Sequence, residues 1–127
     1  MADTNRGSRP LSPHLTIYRP QVTSMFSILH RLTGIGMAVS AFLIVWWFLA
    51  AATGPAYFAI VDGFLTSWFG RLILILSCWA LWYHFCNGVR HLIWDLGYGF
   101  EIEQVNRSAW TILAVSVALT IITLIIA

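Results

Sequence analysis

Three membrane-length segments with almost no charge constrain the fold of this chain more than any other feature. Segments 32–52 and 109–127 contain no charged residue, and segment 72–94 is apolar except for a few polar positions. Each is close to the roughly 20 residues that a membrane-spanning helix requires. Only 9% of the chain is charged and lysine is absent, against about 25% charged residues in soluble domains. We therefore predict an all-α membrane protein with three transmembrane helices, at approximately 27–52, 64–94 and 107–127.

Residues 1–26, which precede the first predicted helix, have a different character. Pro10, Pro13 and Pro20 favour an extended or turned backbone over a long helix. We expect no cleavable signal peptide, because this stretch has no apolar core. A short uncleaved N-terminus favours the bacterial inner membrane over the mitochondrial one. The remainder, 27–127, then forms the transmembrane domain and leaves no room for a soluble catalytic domain.

The arginines predict the orientation of the helices. They lie mainly before or at the start of the first helix and beside the second connection, and the positive-inside rule places those regions in the cytoplasm. The residues concerned are Arg6, Arg9, Arg19, Arg31, Arg90 and Arg107. We expect residues 1–26 on the cytoplasmic side.

Four residues of the second apolar segment fall on one helical stripe: His84, Gly88, His91 and Asp95 are spaced at i, i+4, i+7 and i+11. Ionisable groups are rare at membrane depth and normally face a bundle interior, a cofactor or a water-filled cavity. His84 could donate a hydrogen bond to another helix, belong to a proton relay or bind haem iron. We favour haem, because imidazole is a common axial ligand and Gly88 leaves space for a flat macrocycle on the same face.

A second axial ligand must come from elsewhere. Seven helical residues rise about 10 Å, so His84 and His91 cannot bind opposite faces of one iron. His14 and His30 are expected to lie nearer the inner surface than His84. A partner subunit is therefore the better source, and the chain is interpreted as half of a cofactor site. The absence of a C-x-x-C-H motif excludes covalent c-type attachment.

Ser27, Arg31 and Gly34 share one face of the first helix. Arginine suits the carboxylates of haem propionates, and serine with arginine could hydrogen-bond a carbonyl oxygen of a quinone. Alternatively, Ser27 caps the helix and Arg31 extends to the membrane interface. The spacing alone leaves these uses open.

Three ordered motifs carry a resemblance to a known family. They are RPLSPHLTIY at 9–18, S-x-x-H-R-x-T-G at 27–34 and H-x-x-x-G-x-R-H-x-x-x-D at 84–95. Together they resemble the cytochrome b membrane-anchor subunits of succinate dehydrogenase, the succinate:quinone oxidoreductase of respiratory complex II. The resemblance extends over almost the whole chain.

The resemblance implies a role for each matching residue. His84 would be one axial ligand of a single haem b, and a second anchor subunit would complete the bundle and supply the other histidine. Ser27 and Arg31 would bind ubiquinone, the substrate. His30, Arg31 and His91 would lie around the haem propionates. No residue of this chain would act on succinate.

The resemblance also implies a set of partners. A flavoprotein subunit would oxidise succinate and an iron–sulfur subunit would carry electrons to the quinone, while the anchor itself contacts membrane lipid and no nucleic acid. Alternatives are a fumarate reductase-type anchor, a haem-free anchor and a small proton-conducting bundle.

Overall fold

The computed structural model describes residues 17–127, and within that range the chain is built from four helices. These are α1 (Val22–Thr53), α2 (Pro55–Thr66), α3 (Trp68–Asp95) and α4 (Ile102–Ile126). Of these, α1, α3 and α4 are long and apolar enough to cross a membrane. The predicted all-α membrane architecture with three spans is confirmed. His14, Arg6 and Arg9 lie outside the described residues.

The first helix begins at Val22, earlier than the predicted position 27, so residues 22–26 are helical rather than extended. Pro20 lies outside the helix and leaves its first turn intact. Ser24 caps that turn: its hydroxyl accepts a hydrogen bond from the Gln21 N–H at 3.2 Å and donates to the Gln21 carbonyl at 2.8 Å. Ser27 is therefore inside the helix and does not cap it.

The connection between the first two spans is itself a helix, α2, where the sequence suggested a loop. Pro55 occupies its first turn, where a missing N–H is harmless. The chain then turns at Ser67, whose side chain accepts a hydrogen bond from the Gly70 N–H at 3.1 Å. A Cβ at Gly70 would run into the backbone of Phe64 and Leu65. The predicted helix 64–94 is thus divided, and α3 begins at Trp68.

Helix α3 lies between its neighbours. Thr33 approaches His84 and Ser40 donates a hydrogen bond to Ser77, so α1 and α3 run antiparallel. Helix α4 packs mainly against α3, and begins at Ile102 rather than at the predicted 107. The loop between them covers only residues 96–101.

Two small clusters form the core. At one end, Phe26, Tyr83 and Ala109 are buried together; at the other, α2 contributes to a cluster of Ala50, Val61, Leu65, Trp46 and Trp47. Most other apolar side chains point outwards, including Phe42, which is 76% exposed. An apolar exterior of this kind suits contact with lipid and other membrane helices, because both are apolar.

Candidate functional site

Three histidines gather where α1 packs on α3. The rings of His30 and His84 are stacked, with centroids 4.0 Å apart and planes 18° from parallel. His91 lies 5.4 Å from the His30 ring, measured between centroids. The expectation that His30 lies nearer the inner surface than His84 is therefore wrong. Because α1 starts at Val22, His30 is already two turns inside the helix, and the antiparallel packing brings it level with His84.

The His84 imidazole is held by the backbone and side chains of α1. Its Nδ1 atom is 3.2 Å from the His30 carbonyl oxygen and 3.3 Å from the Thr33 hydroxyl. A carbonyl can only accept a hydrogen bond, so the proton of a neutral ring is assigned to Nδ1. No hydrogen bond to Nε2 occurs within residues 17–127. Its lone pair is available to a ligand.

Two glycines shape the space around this ring. A Cβ added at Gly34 on α1 would lie 3.1 Å from the His84 Cε1 atom, so the helices approach closely here. A Cβ at Gly88, one turn after His84, would have no neighbour within 4 Å. The His84 ring is thus confined on the α1 side, and the surface beside Gly88 is open.

Ser27 and Arg31 both lie on the exposed surface of α1, one turn apart. The only ion pair in the described part of the chain is between Arg107 and Glu103, at 3.7 Å. Arg31 therefore has no carboxylate partner there. Both side chains can reach a ligand or a neighbouring subunit.

Two polar residues of α3 in the region of the histidines were not among the predicted site residues. Asn87 is 1% exposed and Arg90 is 8% exposed. The Arg90 guanidinium carbon lies 4.5 Å from the centre of the Trp94 ring, a cation–π contact. Both amide atoms of Asn87, and Nε and Nη1 of Arg90, have no hydrogen-bond partner among residues 17–127. Arg90 makes no ion pair with Asp95 in this part of the chain, and Asp95 is exposed.

A signal for this burial exists in the sequence. The buried positions of this half of α3 follow a spacing of three and four residues, typical of a helix face in a packed interface: Ala80, Tyr83, Asn87 and Arg90. The Tyr83 hydroxyl on the same face donates to the Phe26 carbonyl at 3.2 Å. Arg90 therefore belongs to the bundle interior and not to the connection that it was predicted to flank.

The groups around the stacked histidines are basic. His30, His84, His91 and Arg90 are within one region, and no ion pair with a carboxylate reaches them in the described chain. Such a site suits an anionic group, since charge-assisted hydrogen bonds to carboxylates are roughly twice as strong as neutral ones. The arrangement can offer one imidazole nitrogen to a metal and several donors to an anion.

The fold and site define a three-span helical membrane protein with an imidazole cluster between two of its helices. The profile of the succinate dehydrogenase/fumarate reductase transmembrane subunit family matches residues 5–123. The chain belongs to this family, which confirms the resemblance inferred from its motifs.

Individual relatives cover nearly the whole chain. The succinate dehydrogenase cytochrome b556 subunit of Paracoccus denitrificans is 50% identical over 126 residues, which are 99% of this chain and 97% of the relative. The subunit of the same name from Rickettsia bellii is 42% identical over 114 residues, covering 90% and 89%. The cytochrome b560 subunit of Marchantia polymorpha is 40% identical over 106 residues, covering 80% and 77%. The chain is thus similar to subunits of an oxidoreductase complex.

Proposed function

We propose that this chain is a membrane anchor of a succinate:ubiquinone oxidoreductase and that His84 is one of the two axial ligands of a haem b. The observation that carries this proposal is the hydrogen bonding of the His84 ring. Nδ1 faces the His30 carbonyl oxygen at 3.2 Å, which leaves Nε2 for iron. Metal-binding histidines commonly donate their other N–H to a backbone carbonyl in this way.

The residues present fit a haem. The open surface beside Gly88 has no atom within 4 Å of an added Cβ, so a flat group could pack there against α3. His30, Arg31 and His91 supply donors for the two propionates without competing carboxylates nearby. When bound, the haem accepts and returns single electrons. This chain would hold it by one nitrogen and by its propionates.

The second axial ligand is proposed to come from another subunit. Iron–nitrogen bonds of about 2 Å, the scale for histidine ligands, require two imidazoles to point their edges at the metal from opposite sides. The rings of His30 and His84 instead stack face to face at 4.0 Å, which leaves no room for a macrocycle between them. A second anchor subunit would supply the other histidine and share the single haem.

Ser27 and Arg31 are proposed to bind ubiquinone. Both are exposed on the same surface of α1, and both can donate hydrogen bonds to a quinone carbonyl oxygen. The fixed positive charge of Arg31 would stabilise negative charge that develops on that oxygen during reduction, because it acts in an apolar setting. The chain would then position the quinone while partner subunits deliver the electrons.

The remaining parts of the proposal concern assembly and orientation. A flavoprotein subunit would oxidise succinate and an iron–sulfur subunit would dock near the histidine end of the bundle. The arginine distribution supports a cytoplasmic N-terminus in a bacterial inner membrane, and the segment that precedes α1 at Val22 would lie outside the membrane domain. The anchor would act on electrons and quinone and not on succinate.

The haem proposal is tested by a reduced-minus-oxidised difference spectrum of the purified complex, wild type against His84→Ala. We expect a b-type band in the wild type and its loss in the variant, while succinate oxidation by a soluble dye is retained. A wild-type complex without the band would favour the haem-free anchor. Proton flux in vesicles that contain this chain without flavoprotein would favour the conducting bundle.

The quinone proposal needs a separate measurement. Ser27→Ala and Arg31→Ala are expected to lower succinate:quinone activity and to leave dye-linked succinate oxidation nearly unchanged. Equal loss of both activities would show that the substitutions damage assembly instead. Fumarate reduction by quinol is measured as well. A complex that reduces fumarate faster than it oxidises succinate would favour the fumarate reductase-type alternative.

A further inference from the structure

We propose that Thr33 and Gly34 of α1 are positioning residues for His84: Thr33 accepts a second hydrogen bond from the Nδ1–H, and Gly34 fixes the rotation of the ring. This inference rests on the proposed function of His84 as a haem ligand. It assigns to α1 a part in tuning the haem that is separate from the binding of propionates or quinone.

The hydrogen bonds around Nδ1 have a defined direction. The Thr33 hydroxyl donates to the His30 carbonyl at 2.8 Å, so its own proton is engaged and its oxygen can accept. The His84 Nδ1–H therefore faces two acceptors, the His30 carbonyl at 3.2 Å and the Thr33 hydroxyl oxygen at 3.3 Å. Thr33 is buried, with 5% exposure, so water does not compete for this contact. A ligand N–H bonded in this way makes the imidazole a stronger donor to a metal.

Sterics fix the rotation of the ring. One face of the His84 imidazole stacks on His30 at 4.0 Å, and its Cε1 edge would be 3.1 Å from any Cβ at position 34. Real Cβ contacts are seldom so short, so only glycine leaves the ring where it is. Turning the imidazole about its Cβ–Cγ bond would move Nδ1 away from both acceptors.

The first test is Gly34→Ala in the complete complex, with Gly36→Ala as the matched control. Gly36 is on the same helix, and a Cβ there has no neighbour within 4 Å. We expect Gly34→Ala to displace the His84 ring and to change the electron paramagnetic resonance g values of the oxidised low-spin haem, which depend on the orientation of the axial imidazole planes. Haem affinity should fall on the order of tenfold, as for other residues that support a metal ligand. Gly36→Ala should match the wild type in both measurements.

The second test changes the hydrogen bond without changing size. Thr33→Val removes the hydroxyl oxygen that accepts from Nδ1–H, which weakens electron donation by the ring and should raise the haem midpoint potential. Thr33→Ser retains the hydroxyl and should return the potential to the wild-type value. If the Gly34→Ala complex does not assemble, the Thr33 pair decides the question.

The outcomes separate this inference from the function on which it rests. Wild-type g values in Gly34→Ala and a wild-type potential in Thr33→Val would overturn the positioning role while His84 ligation stands. A wild-type complex without b-type haem, or a His84→Ala complex that retains it, would overturn the proposed function itself.

Discussion

The two ends of the helix bundle differ in how completely their polar side chains are hydrogen-bonded. At the α2 end, the indole N–H of Trp46 donates to the Tyr57 hydroxyl at 2.8 Å and that of Trp47 donates to Asp62 at 3.2 Å. At the histidine end, buried polar atoms lack partners within residues 17–127; they belong to His30, Trp79, Asn87 and Arg90. An unpaired buried donor or acceptor is unfavourable by about 1–3 kcal/mol.

This difference indicates that the two ends serve different purposes. The α2 end closes the connection between two spans with a small buried cluster around Val61 and Leu65. The histidine end keeps unpaired polar groups and an open surface beside Gly88, features that reduce stability and that suit a cofactor. Substitutions at the α2 end should therefore change stability and leave haem binding unchanged, whereas those at the open surface beside Gly88 should change haem binding.

The largest expected effect is on stability, from Gly70→Ala at the α2 end. An added Cβ would collide with the backbone of Phe64 and Leu65, and backbone cannot move aside as a side chain can. We expect a loss of about 3 kcal/mol or more, at the upper limit for overpacking. It would be measured as a lower midpoint of thermal unfolding of the purified complex, with an unchanged haem spectrum in what assembles.

Gly63→Ala is the control for this substitution, because a Cβ there has no neighbour within 4 Å. Gly63 lies in the neighbouring helix α2, and the Gly63→Ala complex should unfold at the wild-type temperature. A normal melting temperature for Gly70→Ala would contradict the close approach of α2 and α3.

The same comparison shows how far sequence could predict this molecule. The three spans follow from composition, and the stripe from His84 to Asp95 follows from helical spacing; both are local properties. Helix α2 was not predicted, because Gly54 and Pro55 signal a break equally well before a loop or before a new helix. Its formation depends on packing of Val61 and Leu65 against α1, which is a tertiary effect.

The candidate site was predicted in parts. Its residues on each helix could be listed, but the stacking of His30 on His84 depends on the register between α1 and α3, which spacing within one helix does not contain. The role of Gly34 depends on the same register, since the atom that it accommodates is on the other helix. The burial of Arg90 was not predicted, because its charge was taken to place it beside the second connection.

Gly88→Ala is expected to lower haem affinity and to leave stability unchanged, the reverse of what is expected for Gly70→Ala. A Cβ at Gly88 meets nothing in this chain, so thermal stability should stay within about 0.5 kcal/mol, the usual range for substitutions outside packed regions. If the haem packs beside Gly88, its affinity should fall by about 10- to 100-fold, the scale of other changes close to metal ligands. Titration of haem into the haem-depleted complex measures this affinity, and wild-type affinity would place the macrocycle elsewhere.

A smaller effect is expected from Asn87→Leu, which replaces a buried amide by an apolar group of similar size. Both amide atoms are unpaired and the side chain is 1% exposed, so a partner subunit has little access to it. We expect the complex to gain about 1 kcal/mol, the lower end of the desolvation penalty that is removed. The measurement is the shift in thermal unfolding midpoint, with Asn106→Leu on α4 as a less buried control. A loss of stability would mean that Asn87 finds a partner on assembly.

The smallest effect is expected from Trp47→Phe, which removes the hydrogen bond from the indole N–H to Asp62 at 3.2 Å and keeps an aromatic ring. Partial exposure of Asp62 keeps this bond below the about 1.5–3 kcal/mol of buried hydrogen bonds to charged groups, so a slight fall in the unfolding midpoint should result. Trp46→Phe removes the more exposed bond to Tyr57 and should have less effect. The haem spectrum and midpoint potential should be unchanged in both, because these residues lie at the opposite end of α1 from His30. A shift in haem potential from Trp47→Phe would show that the two ends are coupled through α1, and the division between a stabilising end and a cofactor-binding end would then fail.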